Sequence, residues 1–157
     1  MNHIHPFLKE AIELSRIKME AGEGGPFGAI IAKDNQIIGR GWNRVTSAKD
    51  PTAHAEIEAI RQACQTIDSF SLKGCRIYSS CEPCPMCLAA IYWARLDELI
   101  FAATREDAAQ AGFDDRILYQ QMSIPIDERS LPTKNSGRKI AQAVFKQWIK
   151  KIDKIHY

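Results

Sequence analysis

Three observations along the 157 residues predict an α/β fold in which helices cover a mixed sheet. Two strand-like runs flank the turn formers Asp34 and Asn35; later strand-like runs alternate with helical ones; and 45% of the residues are hydrophobic, enough for one compact core. A single domain over residues 1–157 follows, with residues 139–157 as a C-terminal helical arm.

The elements can be justified in order. Pro6 suits the first turn of a helix running from Phe7 to Ala21, and Gly22 suits its stop. "FGAIIAK" and "QIIGRGWN" read as antiparallel strands joined as a hairpin through Asp34 and Asn35. "RVTSAKDPT" reads as a loop, after which Ile57, Ile60, Cys64 and Ile67 fall on one face of a helix. "CRIYSS" is then a strand, "PCPMCLAAIYWAR" a helix favoured to start at Pro83, and "ELIFAA" a strand. A helix between two strands makes a crossover, so these later strands should run parallel. "PIDERSLPTKNSG" is composed like a linker. The last helix carries Ile140, Val144, Phe145, Trp148, Ile149 and Ile152 at helical spacing.

Charge is unevenly spread. The formal +2 combines a tail from Lys134 to Tyr157 at +6 with a body at −4. A basic end can hold nucleic acid, but the apolar spacing assigns these lysines to the wet face of an amphipathic helix, so nucleic acid is not the expected partner. "MNHIHPFLKE" has no apolar signal stretch, and runs such as "AAIYWA" are too short to cross a bilayer. A cytoplasmic protein without membrane contact is expected. In such a compartment five cysteines, three of them crowded into "SCEPCPMC", read as metal-binding or catalytic, not as disulfides.

Which thiols hold a metal decides whether the site can react. A catalytic zinc keeps three protein ligands and leaves one position to water, whereas a structural zinc closes all four. Cys84 and Cys87 are three apart, about 60° around a helix, and can grip one ion. Cys81 has the same spacing to Cys84, so a saturated structural module of Cys81, Cys84, Cys87 and His54 is a non-enzymatic alternative. His54 and Glu56, in "PTAHAEIEAI", differ by about 200° around a regular helix, which places any shared site at the helix end. There His54 can meet the metal while Glu56 stands beside the water. Glu58 belongs to the outer face of the same helix. Glu82 adjoins the thiols, and a carboxylate near a helix start is also favoured by the dipole alone.

HxE opening one helix and PCxxC opening the next form the pattern of zinc deaminases, which assigns the metal to His54, Cys84 and Cys87, one zinc per subunit, with Glu56 moving protons and Cys81 left outside. Beyond that signature, "GGPFGAIIAKD", "DPTAHAEIEAIR", "SSCEPCPMCLAAIYWAR", "DAAQAGFDD" and the closing Tyr157 resemble bacterial guanine deaminases of the cytidine deaminase-like superfamily. Related tRNA adenosine deaminases carry "PVGA", "PCVMCAGA" and "GAAGS" where this chain has "GPFGA", "PCPMCLAA" and "QAGFDD". The resemblance implies a three-layer αβα sandwich on a sheet of about five strands and the hydrolysis of guanine to xanthine and ammonia. A nucleoside such as guanosine, or tRNA adenosine, is the alternative substrate.

The same resemblance implies particular roles. Asn43 is the purine-binding amide, donating and accepting together. Phe27 and Phe113 sandwich or border the ring; the core is the alternative place for either, and the better one for Phe27. Asp115 accepts the N–H groups of guanine's amidine edge, with Asp114 as the other choice, and one of the pair caps the helix that begins near Arg116. Family members are domain-swapped homodimers, which makes Tyr157 the end of a lid laid over the partner's pocket.

Overall fold

The computed structural model describes residues 4–157, and the chain divides into two compact units, Met1–Asp115 and Arg116–Tyr157. In the first unit, strands β1 (Gly28–Lys33) and β2 (Gln36–Trp42) form the expected antiparallel hairpin. Its two connecting residues, Asp34 at φ 48° and Asn35 at φ 60°, both take left-handed backbone, as a type I′ turn requires. β1 also pairs antiparallel with β3 (Arg76–Cys81), and β3 pairs parallel with β4 (Glu98–Ala103), giving the order β2-β1-β3-β4.

Helices lie on both faces. Helix α1 (Pro6–Glu20) brings Leu8 and Ala11 against Ile30, Ala32 and Tyr78 on one face. On the other face, α3 (Ala55–Thr66) and α4 (Pro85–Trp93) pack Ala55, Ala59, Ala63 and Ile91 against Ala29, Ile31 and Ile77. A one-turn helix α2 (Val45–Ala48) stands within the stretch expected to be loop. The result is the predicted three-layer αβα sandwich. Its sheet has four strands among the described residues instead of about five. After β4 the chain enters α5 (Arg105–Gln110), where Thr104 and Asp107 form a reciprocal capping box that commits the segment to helix.

One helix face is deeper beside its isoleucines than on them, and one helix start is corrected. Ile57, Ile60, Cys64 and Ile67 are only half-buried, and the deepest stripe of α3 is Ala55, Glu56, Ala59 and Ala63. Steric space explains this. A Cβ on Gly41 would stand 2.0 Å from the Ala55 carbonyl oxygen, and one on Gly39 would stand 2.5 Å from that of Ala59. The helix backbone therefore lies directly on the glycines of β2, and only small side chains fit between. Helix α4 starts at Pro85, not Pro83, with proline at a first-turn position where its missing N–H removes no bond.

The second unit comprises α6 (Arg116–Ser123), a short 3-10 turn (Ile126–Glu128) inside the expected linker, and α7 (Arg138–Lys150). Ile140, Val144, Phe145, Trp148 and Ile149 lie on α7 with exposed side chains, while Ile152 falls past its end. No helix among the described residues is long and apolar enough to cross a membrane.

Candidate active site

Two helix starts supply the donor atoms. His54 is the N-cap of α3 and Cys84 the N-cap of α4, both in extended backbone (φ −75°, ψ 158° and φ −64°, ψ 168°), and neither spends its side chain on capping its own helix. Standing outside the regular helix, His54 escapes the 200° separation from Glu56 that helical geometry would impose. Cys84 likewise lies just before its helix, and Cys87 is buried in the first turn. His54 Nδ1 stands 3.6 Å from Cys84 Sγ and 3.5 Å from Cys87 Sγ, and all three ligand atoms lie within 4.8 Å of one another.

These separations suit zinc. Bonds of about 2.3 Å to sulfur and about 2.05 Å to nitrogen, at a tetrahedral angle, set the sulfur and nitrogen about 3.6 Å apart. Protonation in the metal-free protein is consistent with the same role. A hydrogen bond from Cys87, assisted by His54 and opposed by burial, brings the Cys84 thiol down to about 4. The bond to Cys84 and burial push the Cys87 thiol up, and the bond to Cys84 raises His54. A cation entering the group displaces the proton held on Cys87.

Cys81 does not join them. Its Sγ donates to the Thr104 carbonyl at 3.5 Å, and burial, with Glu56 nearby, pushes its thiol up to about 11. No fourth donor belongs to the group among the described residues, which leaves one tetrahedral position for water. Glu56 is 5% exposed, and its Oε1 accepts a hydrogen bond from Ser79 Oγ at 3.1 Å. Burial raises its carboxyl. The other two acids point elsewhere. Glu58 pairs with Arg61 at 2.6 Å and Arg44 at 3.6 Å on the outer face of α3. Glu82 accepts from the Arg105 backbone N–H at 3.0 Å, so it serves the start of α5 and not the start of α4.

The residues expected to hold a base gather only in part. Asn43 follows β2 and is buried, but its Oδ1 already accepts the backbone N–H groups of Gly25 at 3.2 Å and Val45 at 3.3 Å. Oδ1 is thereby committed to the backbone of the flanking loop segments. Gly24 allows this arrangement, since a Cβ there would stand 2.0 Å from the Asn43 carbonyl oxygen. Phe113 meets Phe27 edge to face with centroids 4.9 Å apart, and a Cβ on Gly25 would stand 3.3 Å from each ring. Phe27 packs against the core, as expected, while Phe113 is 45% exposed. Asp115 is half-buried, and burial first, then the charge of Cys84, raises its carboxyl; Asp114 is exposed. Tyr157 belongs to the second unit.

Ser79 is the site residue that motif reading missed, and its one signal is a hydroxyl at an inward strand position. A cavity of about 530 Å³ in the first unit is lined by Phe7, Asp34, Arg76, Tyr78 and Glu98, at the opposite ends of the strands from the donor group.

Known proteins carry the same architecture. Residues 1–103 match the family model of the cytidine and deoxycytidylate deaminase zinc-binding region. The chain is 53% identical over 132 residues to a guanine deaminase of Bacillus subtilis, spanning 84% of each protein. It is 44% identical over 97 residues to a tRNA-specific adenosine deaminase of Aquifex aeolicus, spanning 62% of this chain and 64% of that one. The X-ray structure of guanine deaminase from Bacillus subtilis superposes with a TM-score of 0.95 at 47% identity, covering 100% of this chain and 99% of the other. Donor geometry, αβα layering and these matches lead to one conclusion: the chain belongs to the cytidine and deoxycytidylate deaminase zinc-binding family.

Proposed function

We propose that this chain is a zinc-dependent aminohydrolase that converts guanine and water to xanthine and ammonia. The observation that carries the reading is a buried glutamate beside a three-donor group, in a chain 53% identical to a guanine deaminase. His54, Cys84 and Cys87 would hold one zinc ion per subunit. When bound, zinc lowers the pKa of a water toward about 7 and makes it a nucleophile at neutral pH. Glu56, held at Oε1 by Ser79, is the carboxylate that would take the water's proton. The carboxylate delivers that proton to the adjacent ring nitrogen, then collects the remaining proton from the newly added hydroxyl and hands it to the departing amine, serving as base and acid in turn. Ammonia leaves with that proton, and the oxygen stays on the ring.

Recognition would fall to the loop side. Asp115, half-buried where Asp114 is exposed, is the better placed to accept N1–H and the 2-amino group of guanine. An acceptor shielded from water by the bound base discriminates against adenine, whose edge would leave it unpaired. Asn43 Nδ2 donates to the base and Phe113 borders its ring. Tyr157 would complete the pocket from a partner subunit in a homodimer with exchanged C-terminal segments. Five free cysteines, two of them ligands, suit a reducing cytoplasm.

Ammonia release from guanine, guanosine, adenine, cytosine and ammeline tests the reading, and guanine should be turned over fastest. Loss of guanine absorbance without matching ammonia would contradict it. Glu56→Gln should retain zinc, measured by elemental analysis, and lose turnover by roughly 10²-fold or more. The similarity to a tRNA-specific adenosine deaminase and the +6 tail favour a second reading on RNA, whose binding should fall steeply with salt.

A further inference from the structure

Ser79 occupies a position that the sheet would ordinarily give to a hydrophobic side chain. Side chains of β3 alternate between layers: Ile77 joins the α3 and α4 core, and Tyr78 joins the α1 core. Ser79 therefore faces the side of Ile77, and it pairs across the ladder with Ala29, a member of that core. It is 2% exposed. A β-branched apolar residue would pack better in a central strand, and a hydroxyl buried there without a partner would be destabilising. The hydroxyl has one, Glu56 Oε1 at 3.1 Å. The next residue provides a contrast, because Ser80 Oγ accepts the Gly28 N–H at 3.0 Å and thereby ties two backbone segments together.

We infer that Ser79 is a positioning residue for the deamination: its hydroxyl holds one oxygen of Glu56 so that the other is presented to the reacting water and base. The inference rests on the proposed role of Glu56. The physical ground is the placement of Glu56 on the buried stripe of α3, among alanines that make no hydrogen bond to its carboxylate. The Glu56 backbone N–H and the Cys87 thiol also bond the carboxylate, but a thiol that binds zinc gives up its proton, which leaves Ser79 as its side-chain donor. Without it, one hold on the carboxylate is lost and the side chain gains access to staggered positions that do not face the reaction.

Zinc content, melting temperature, kcat and KM on guanine should be measured for Ser79→Ala, Ser79→Val, Ser79→Thr and Ser80→Ala, with crystal structures of the wild type and the first two. Ser79→Val suits a buried strand and should keep zinc and melt no lower than the wild type, yet lose about tenfold or more in kcat with KM nearly unchanged. Ser79→Ala should lose as much. Ser79→Thr restores a hydroxyl and should recover most of kcat. Ser80→Ala should melt lower at unchanged kcat. Wild-type kcat in Ser79→Val or Ser79→Ala, or a loss of kcat that only parallels a loss of zinc, overturns the inference. If the wild type fails to deaminate guanine, the functional reading falls, and the crystal structures then decide: a displaced or split Glu56 carboxylate supports the anchoring, and an unmoved one overturns it.

Discussion

Cys81 and Cys84 are three residues apart and lead opposite lives. Cys84 meets His54 and Cys87 at the tip of α4, whereas Cys81, the last residue of β3, turns its sulfur to the Thr104 carbonyl. Serine can make the same donation to that carbonyl. Cys81→Ser is therefore expected to keep one zinc per subunit and turnover within about twofold of the wild type, with a stability change on the order of 1 kcal/mol. Cys84→Ser removes a thiolate ligand and should release the metal. Zinc determination after exhaustive dialysis distinguishes the pair, and metal loss from Cys81→Ser would revive the closed, structural site. Spacing alone could not separate these thiols, since both intervals in "CEPC" and "CPMC" are equal. The decision lies in where the strand ends and the helix begins. Strand direction turns the first sulfur sideways and the N-cap conformation turns the second forward.

At the scale of elements, α3 carries both His54 at its N-cap and Glu56 in its first turn, so its seat on β2 sets the geometry of the whole site. That seat is the contact of Gly39 and Gly41 with the backbone of Ala55 and Ala59. Gly41→Ala must push the helix outward or bend the strand, and overpacking of this kind costs roughly 1–3 kcal/mol. Both a lower melting temperature and a lower zinc occupancy are expected, the second because the imidazole moves away from the two sulfurs. Full zinc occupancy at an unchanged melting temperature would show that the seam has slack. The hairpin, the parallel crossover, the last strand and the helix-end metal site were all readable from turn residues, alternation and ligand spacing. The alanine stripe was not, because alanine carries little hydrophobic signal and the isoleucines of α3 dominate its pattern. Ser79 and the committed Oδ1 of Asn43 were hidden for a related reason: each depends on a partner brought close by the tertiary fold, 23 and 18 residues away in sequence.

Large apolar side chains lie exposed in each of the two units. Tyr92 and Trp93 of α4 are 77% and 63% exposed, and the α7 residues Val144, Phe145 and Ile149 are similarly open. A helix that is apolar all round normally lies in an interior, which for α4 would be that of an assembly. Light scattering should thus report about twice the subunit mass of 17.7 kDa. Exchange of the C-terminal segments can be tested by mixing. Glu56→Gln supplies an intact tail on a dead site, and Tyr157→Ala supplies an intact site with a damaged tail. Co-refolded from denaturant, the two should regain turnover through mixed dimers, in which the Tyr157→Ala site receives a whole tail. No recovery would mean that each tail closes its own subunit. The glycine and alanine seam has one more consequence, for the engineering of the enzyme. Where main chain rests on main chain there is no volume to trade, so a mutant library spread over Gly39, Gly41, Ala55 and Ala59 should yield far fewer folded, zinc-loaded variants than one placed on exposed loops.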